Sequence, residues 1–238
     1  MTRFTQARAG EERMNTRQWA LVAGSLLLAL AATSCDDLTI NEGERIDGSG
    51  NIITESRDVS GFDEVVVLGS GSVVVDVTGT ESLTITADDN LMAVLTSEVK
   101  GTKLELGVDS VKSISPSEGI EYQITATDLT AVSILGSADF VVTGVDTPSF
   151  DVLIAGSGDV QLAGAADGLN VEIAGSGGFA GEDLISAGGS ITIAGSGSAV
   201  VNVTDELDVS IGGSGDVKYI GQPVVNSSIG GSGSVSQQ

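Results

Sequence analysis

The stretch "VLIAGSGDV" (152–160) is followed by "VEIAGSGGF" (171–179) and "ITIAGSGSA" (191–199). Taking the serine of each Gly-Ser-Gly-like core as reference gives Ser137, Ser157, Ser176, Ser196, Ser214 and Ser232, at intervals of 20, 19, 20, 18 and 18 residues. Three residues before each serine stands isoleucine: Ile134, Ile154, Ile173, Ile193, Ile211 and Ile229. Five before stand Val132, Val152, Val171, Ile191 and Val209, with Ser227 in the final copy. Three after stand Phe140, Val160, Phe179, Ala199, Val217 and Val235. The position four before is mostly polar, so each copy alternates apolar and polar with the period of a strand.

Antiparallel hairpins impose no such identity between columns. Like residues returning at a constant period fit coils stacked on one another, so that isoleucine packs on isoleucine along the interior. The fold expected is all-β, a parallel β-helix (solenoid) with rungs of 18–20 residues. The glycines beside each serine then mark a corner. Glycine there costs roughly 0.5–1 kcal/mol relative to alanine, and a cost repeated in every copy implies a place that admits no Cβ. The serine hydroxyls are expected to bond along the stack.

An earlier copy, "VVVLGSGSVVV" (65–75), has Ser70 as its reference, 67 residues before Ser137. Between them, residues 81–130 alternate well but lack the Gly-Ser core, and read as longer, degenerate rungs of the same solenoid, with a separate small β-domain as the alternative. "DSVKSISPSEG" (109–119) reads as a protruding loop. The β-branched content of "NLMAVLTSEVKG" (90–101) argues against a helix there.

The start of the chain has a different character. Residues 19–32, "WALVAGSLLLALAA", are an apolar run behind scattered arginines, with the length of a signal-peptide core rather than a bilayer span. It leads through "ATSC" to the only cysteine, Cys35. This resembles a bacterial lipoprotein signal, which implies cleavage before Cys35 and lipid attachment to it, although Ala32 stands where leucine is preferred. Glu11 and Glu12 are unusual in such a leader, and a start at Met14 removes both. Residues 1–34 are thus expected to be a signal peptide, 35–45 an acidic linker and 46–236 the β-helix, divided into 46–130 and 131–236. Asp36 and Asp37 resemble surface-export signals in some bacteria and inner-membrane retention signals in others. The expected location is the cell envelope, most simply the outer membrane.

Composition narrows the chemistry. The 238 residues hold 33 acidic and 10 basic side chains, a net charge of −23, and no histidine. A surface this negative repels phosphate backbones, which excludes nucleic acid as a partner. Lack of histidine removes the Ser-His-Asp and Cys-His arrangements and histidine-bound zinc. No Gly-Ser-Gly copy is a G-x-S-x-G elbow; "GGSGD" (212–216) has Asp216 where the second glycine belongs.

Asp139, Asp159 and Asp216 recur two residues after the serine, but Gly178, Ser198 and Ser234 interrupt the column. The expectation is solvation and edge protection, with bound calcium as the alternative. "ADDN" (87–90) is the acid pair to consider for chemistry, and no arginine follows Arg57 to hold an acidic sugar, which leaves little for a polysaccharide-processing enzyme.

"GSGNIITESRDVSGFDEVVVLGSGSVVV" (48–75), "ESLTITADDNLMAVLTSEVKGTKLELG" (81–107) and the closing series of Gly-Ser-Gly units strongly resemble the head GIN domain family, described as an auto-transporter adhesin head. The likeness covers about 46–236. It implies a right-handed parallel β-helix in an envelope lipoprotein. The resulting expectation is a non-enzymatic scaffold without cofactor, tied to the membrane through Cys35, that binds a glycan or an envelope protein. Its last rung has no evident cap, so a second subunit is expected to cover it.

Overall fold

The structure, a computed structural model, describes residues 45–109 and 112–238. Cys35, the apolar run at 19–32 and most of the expected linker lie outside the described residues. Among the described residues there is no α-helix, and so none long and apolar enough to cross a membrane.

Parallel stacking governs the second half of the chain. Strands β10 (Ala131–Gly136), β11 (Asp139–Gly156), β12 (Asp159–Gly175), β13 (Gly178–Gly195) and β14 (Ser198–Ile211) follow one another in space as in sequence, then β15 (Asp216–Ile220), β16 (Val224–Ile229) and β17 (Ser234–Gln237) complete the stack. The register aligns Ile134, Ile154, Ile173, Ile193, Ile211 and Ile229, each opposite the next. Val132, Val152, Val171, Ile191 and Val209 form a second column, and Phe140, Val160, Phe179, Ala199 and Val217 a third on the opposite wall.

All the residues of these columns up to Val217 are buried. Each buried Val or Ile contributes roughly 1.5–3 kcal/mol of hydrophobic free energy, which is the main support of a core so poor in aromatics. Ile229 is the exception: it is 41% exposed, because no further strand stacks on β16 among the described residues. The difference between 18- and 20-residue rungs is absorbed away from the serine corner, by bulges at Val142/Val145, Gln161/Ala163 and Gly181/Ile185.

The first half departs from the expected run of degenerate rungs. Strands β3 (Glu64–Val67) and β4 (Ser72–Val77), the early Gly-Ser-Gly copy, lie directly beneath β10 and β11: Val65 pairs with Val132, Val67 with Ile134 and Val73 with Phe140. The residues between them add no rung in between. They stack on the other side instead, β7 (Lys103–Val108) on β3 and β9 (Glu121–Ala126) on β4, both parallel.

Three further strands run antiparallel and close this end. β6 (Leu95–Lys100) forms a two-residue hairpin with β7, β5 (Ser82–Asp88) pairs with β9, and β2 (Ile52–Arg57) pairs with β5. An antiparallel cap has a physical reason: its outer strands carry Arg57, Glu98 and Lys100, charges that a buried rung could not hold.

Residues 90–94 form a turn ahead of β6, not a helix. The stretch read as a protruding loop is tied down. β8 (Ser113–Ser115) pairs with β1 (Arg45–Asp47), and Ser117 is bonded to Asp88.

Candidate functional site

The serine corner is built by the backbone. The amide of each reference serine donates to the glycine carbonyl one rung below: Ser137 to Gly69 at 2.8 Å, Ser157 to Gly136 at 3.0 Å, and Ser176 to Gly156, Ser196 to Gly175, Ser214 to Gly195 and Ser232 to Gly213 at 2.9 Å. The glycines just before Ser137, Ser157, Ser176 and Ser196 have φ between 149° and 156°, open to glycine and strained for other residues. A Cβ on any of them would overlap the carbonyl below. After the serine the same overlap recurs, since a Cβ on Gly158, Gly177, Gly197, Gly215 or Gly233 would also meet the carbonyl below; in the rung of Ser137 a buried Ala138 takes that place.

Held this way, Ser137, Ser157, Ser176, Ser196, Ser214 and Ser232 are all exposed, and Ser70 continues the line toward the cap. Neighbouring hydroxyls are spaced by one rung, roughly 4.8 Å. The rung-to-rung bonds at this corner come from the serine amides, which leaves the hydroxyls free of that task. The serines are exposed and follow one another from rung to rung as a ridge.

Beside the ridge runs the aspartate column. Asp139 Oδ1 accepts from the Asp159 amide at 3.1 Å, Asp159 Oδ1 from the Gly178 amide at 2.7 Å, and Asp216 Oδ1 from the Ser234 hydroxyl at 2.6 Å. These carboxylates reach the next rung up, where Asp159, Gly178 and Ser234 donate to them; Ser198 has Gly178 below it and bonds the Gly177 carbonyl through its amide instead. Among the described residues no three Asp, Glu, His or Cys side chains gather around one potential metal position. A shallow groove of about 390 Å³ adjoins the column, with Val141, Gln161, Ala180 and Val200 on its floor.

The acid pair of "ADDN" has a different task, which the sequence reading missed. Asp88 is buried, and its carboxylate accepts from the Gly50 amide at 2.7 Å, the Ser117 amide at 2.9 Å and the Ser117 hydroxyl at 2.6 Å. The Ser117 hydroxyl, foremost among these donors, holds the Asp88 carboxyl below the usual carboxylate range. Asp89 takes the Ser49 hydroxyl at 2.6 Å and the Asn51 amide group at 2.8 Å. Asn90 accepts from the Ser49 amide and donates to the Asp47 carbonyl. Together they clamp "DGSGN" (47–51), the entry of the chain into the domain. Gly48 belongs there because a Cβ would overlap the Asp88 carboxylate. The signal was available in the sequence: a Gly-Ser-Gly-Asn stretch offers amides and no bulk to a carboxylate.

These features can be set beside known proteins. A model of the family described as "Putative auto-transporter adhesin, head GIN domain" matches residues 61–223. The chain belongs to the head GIN domain family. A solved structure described as a putative adhesin from Bacteroides fragilis NCTC 9343 is 24% identical. It aligns over 81% of this chain and 100% of its own, with a TM-score of 0.68, and shows the same fold. A structure described as a putative lipid binding protein from Parabacteroides distasonis ATCC 8503 is 26% identical over 82% of this chain and 100% of its own, with a TM-score of 0.52. No curated protein matches the chain. The head GIN description is that of an adhesin-type surface protein, and neither the family nor these two structures is described as an enzyme.

Proposed function

We propose that this head GIN protein is a non-enzymatic, lipid-anchored envelope protein whose solenoid presents the serine ridge and its flanking aspartates to a repetitive partner, a surface glycan or an envelope protein. The observation that carries this is the exposed line of Ser137, Ser157, Ser176, Ser196, Ser214 and Ser232, at one-rung pitch, each directly after a glycine whose place admits no Cβ. Equally spaced hydroxyls on a backbone fixed in both directions lose little freedom on binding, and preorganisation of this kind is what a weakly polar surface needs to hold a partner. Carboxylates already satisfied by amides remain available to sugar hydroxyls through their second oxygen. The proposed anchor at Cys35 and the outer-membrane location rest on the signal-like leader.

The test is capture of envelope glycans and proteins by the intact protein against Ser157→Arg/Ser176→Arg. Both serines are exposed, so the variant is expected to keep its melting temperature and lose the captured partner. Undiminished capture would remove the ridge from the function.

A further inference from the structure

The two ends of the stack are finished differently. At the N-terminal end β2, β5 and β6 cover the first rungs with antiparallel strands bearing charged side chains. At the other end β16 pairs only with β14, and β17 only with β15. Their outer edges carry the backbone donors and acceptors of a rung that nothing overlies among the described residues.

That end is also uncharged. In a chain of net charge −23, residues 219–238 contain no Asp, Glu, Lys or Arg. Sheet edges that must stay single are protected by charge, bulges or proline. Here only Pro223 stands by, ahead of β16. The apolar columns emerge at the same place: Ile229 is 41% exposed and Val224 67%, with Val225 and Val235 half-buried behind them.

What this end fits is already in the molecule. Every interior rung buries its apolar columns against a rung of the same kind in parallel register, and antiparallel pairing of two outer edges, as β5 makes with β9 at the other end, would bury the exposed columns here. Ser232 N donates to Gly213 O, which leaves the Gly231 carbonyl in the equivalent outward position. An acidic partner surface would lose its hydration for no opposing charge, and a basic one would find nothing to pair with. An uncharged rung of this chain meets neither penalty.

We infer that the protein self-associates end to end, β16 and β17 of one copy lying against those of a second copy across a twofold axis. The interface is isologous, so Ile229 of each copy lies within the joint. Of the serine ridge only its last member, Ser232, lies at this end.

The experiment is size-exclusion chromatography with light scattering on the full chain, purified as its host processes it, over a wide range of concentration. A mass of two copies is expected at the upper end. Ile229→Glu places like charges in the joint and is expected to weaken association about tenfold or more. Ile229→Lys alone is expected to do the same, and an equal mixture of the two variants to restore the dimer. That rescue distinguishes a lost interface from a lost fold. A monomer at every concentration, a dimer indifferent to Ile229→Glu, or a mixture that stays monomeric would overturn the inference. Partner capture by the ridge is read separately, so either result can fail alone.

Discussion

The carbonyl oxygen of Gly156 occupies the space that a β-carbon on Gly175 would fill. Gly175 also has φ of 149°, so alanine there is both strained and in collision with backbone that cannot swing aside. Gly175→Ala is expected to destabilise the domain by about 2–4 kcal/mol, the range of a forbidden backbone combined with overpacking. Gly188 lies in the same sheet with its nearest potential neighbour at 4.0 Å and is the control. Gly188→Ala is expected to stay within about 0.5 kcal/mol of the parent. Urea unfolding of both variants decides the point, and equal losses would contradict the corner geometry.

The isoleucine column predicts a gradient. Ile173 has rungs on both sides and is fully buried, so Ile173→Ala is expected to cost about 3–4 kcal/mol. Ile229, at the exposed end, is expected to lose under about 1 kcal/mol on the same change when measured at a dilution where copies are separate. Comparable losses would mean that the terminal rung is packed like an interior one.

Asp88 sets an acid limb. Its carboxyl is held below the ordinary range, so the folded state favours the charged form, and its stabilisation is present above the unfolded value of about 3.9. It is lost as pH falls through the lower folded value. Asp88→Asn cannot accept from all three donors and is expected to cost about 1–3 kcal/mol at neutral pH. The gap between parent and variant is expected to close below about pH 4. A gap constant from neutrality to acid would show that the carboxylate charge is idle.

Tyr122 works in the opposite direction. Burial pushes its phenol up to about 12, so the fold favours the neutral form. Stability is full below about pH 10 and is expected to fall as pH rises from there toward 12, while Tyr122→Phe removes that alkaline limb. Thermal melts across this range test it.

The leader predicts that Cys35→Ser abolishes palmitate labelling in a bacterial host. A labelled variant would contradict the proposed anchor.

How much of this was readable beforehand follows the local physics. From Ser137 onward each column position repeats within one rung, so the register Ile134–Ile154–Ile173–Ile193–Ile211 follows from spacing alone. Residues 81–130 offered only alternation, which a parallel rung and an antiparallel hairpin share. The clue was "VKGTK" (99–103): Gly101, at φ of 68°, makes the two-residue turn that reverses the chain. Val65 beneath Val132 is a contact over 67 residues, beyond any local pattern. The serine line was legible as a column. The hydrogen-bond partners of its amides were not, since period says nothing about which atom faces a neighbour. The Asp88 clamp joins three segments distant in sequence, and the Ile229 exposure depends on what lies beyond the last rung.

That long contact between Val65 and Val132 has a kinetic corollary. To seat β3 and β4 the chain must first close loops of 39 and 49 residues to β7 and β9, and then one of 67 to β10. Each later coil closes only 18–20 residues, onto a template already in place. Loop-closure entropy and contact order both assign the slow step to the N-terminal half. Thereafter the rungs are expected to add one upon the next, in the order in which a ribosome delivers them.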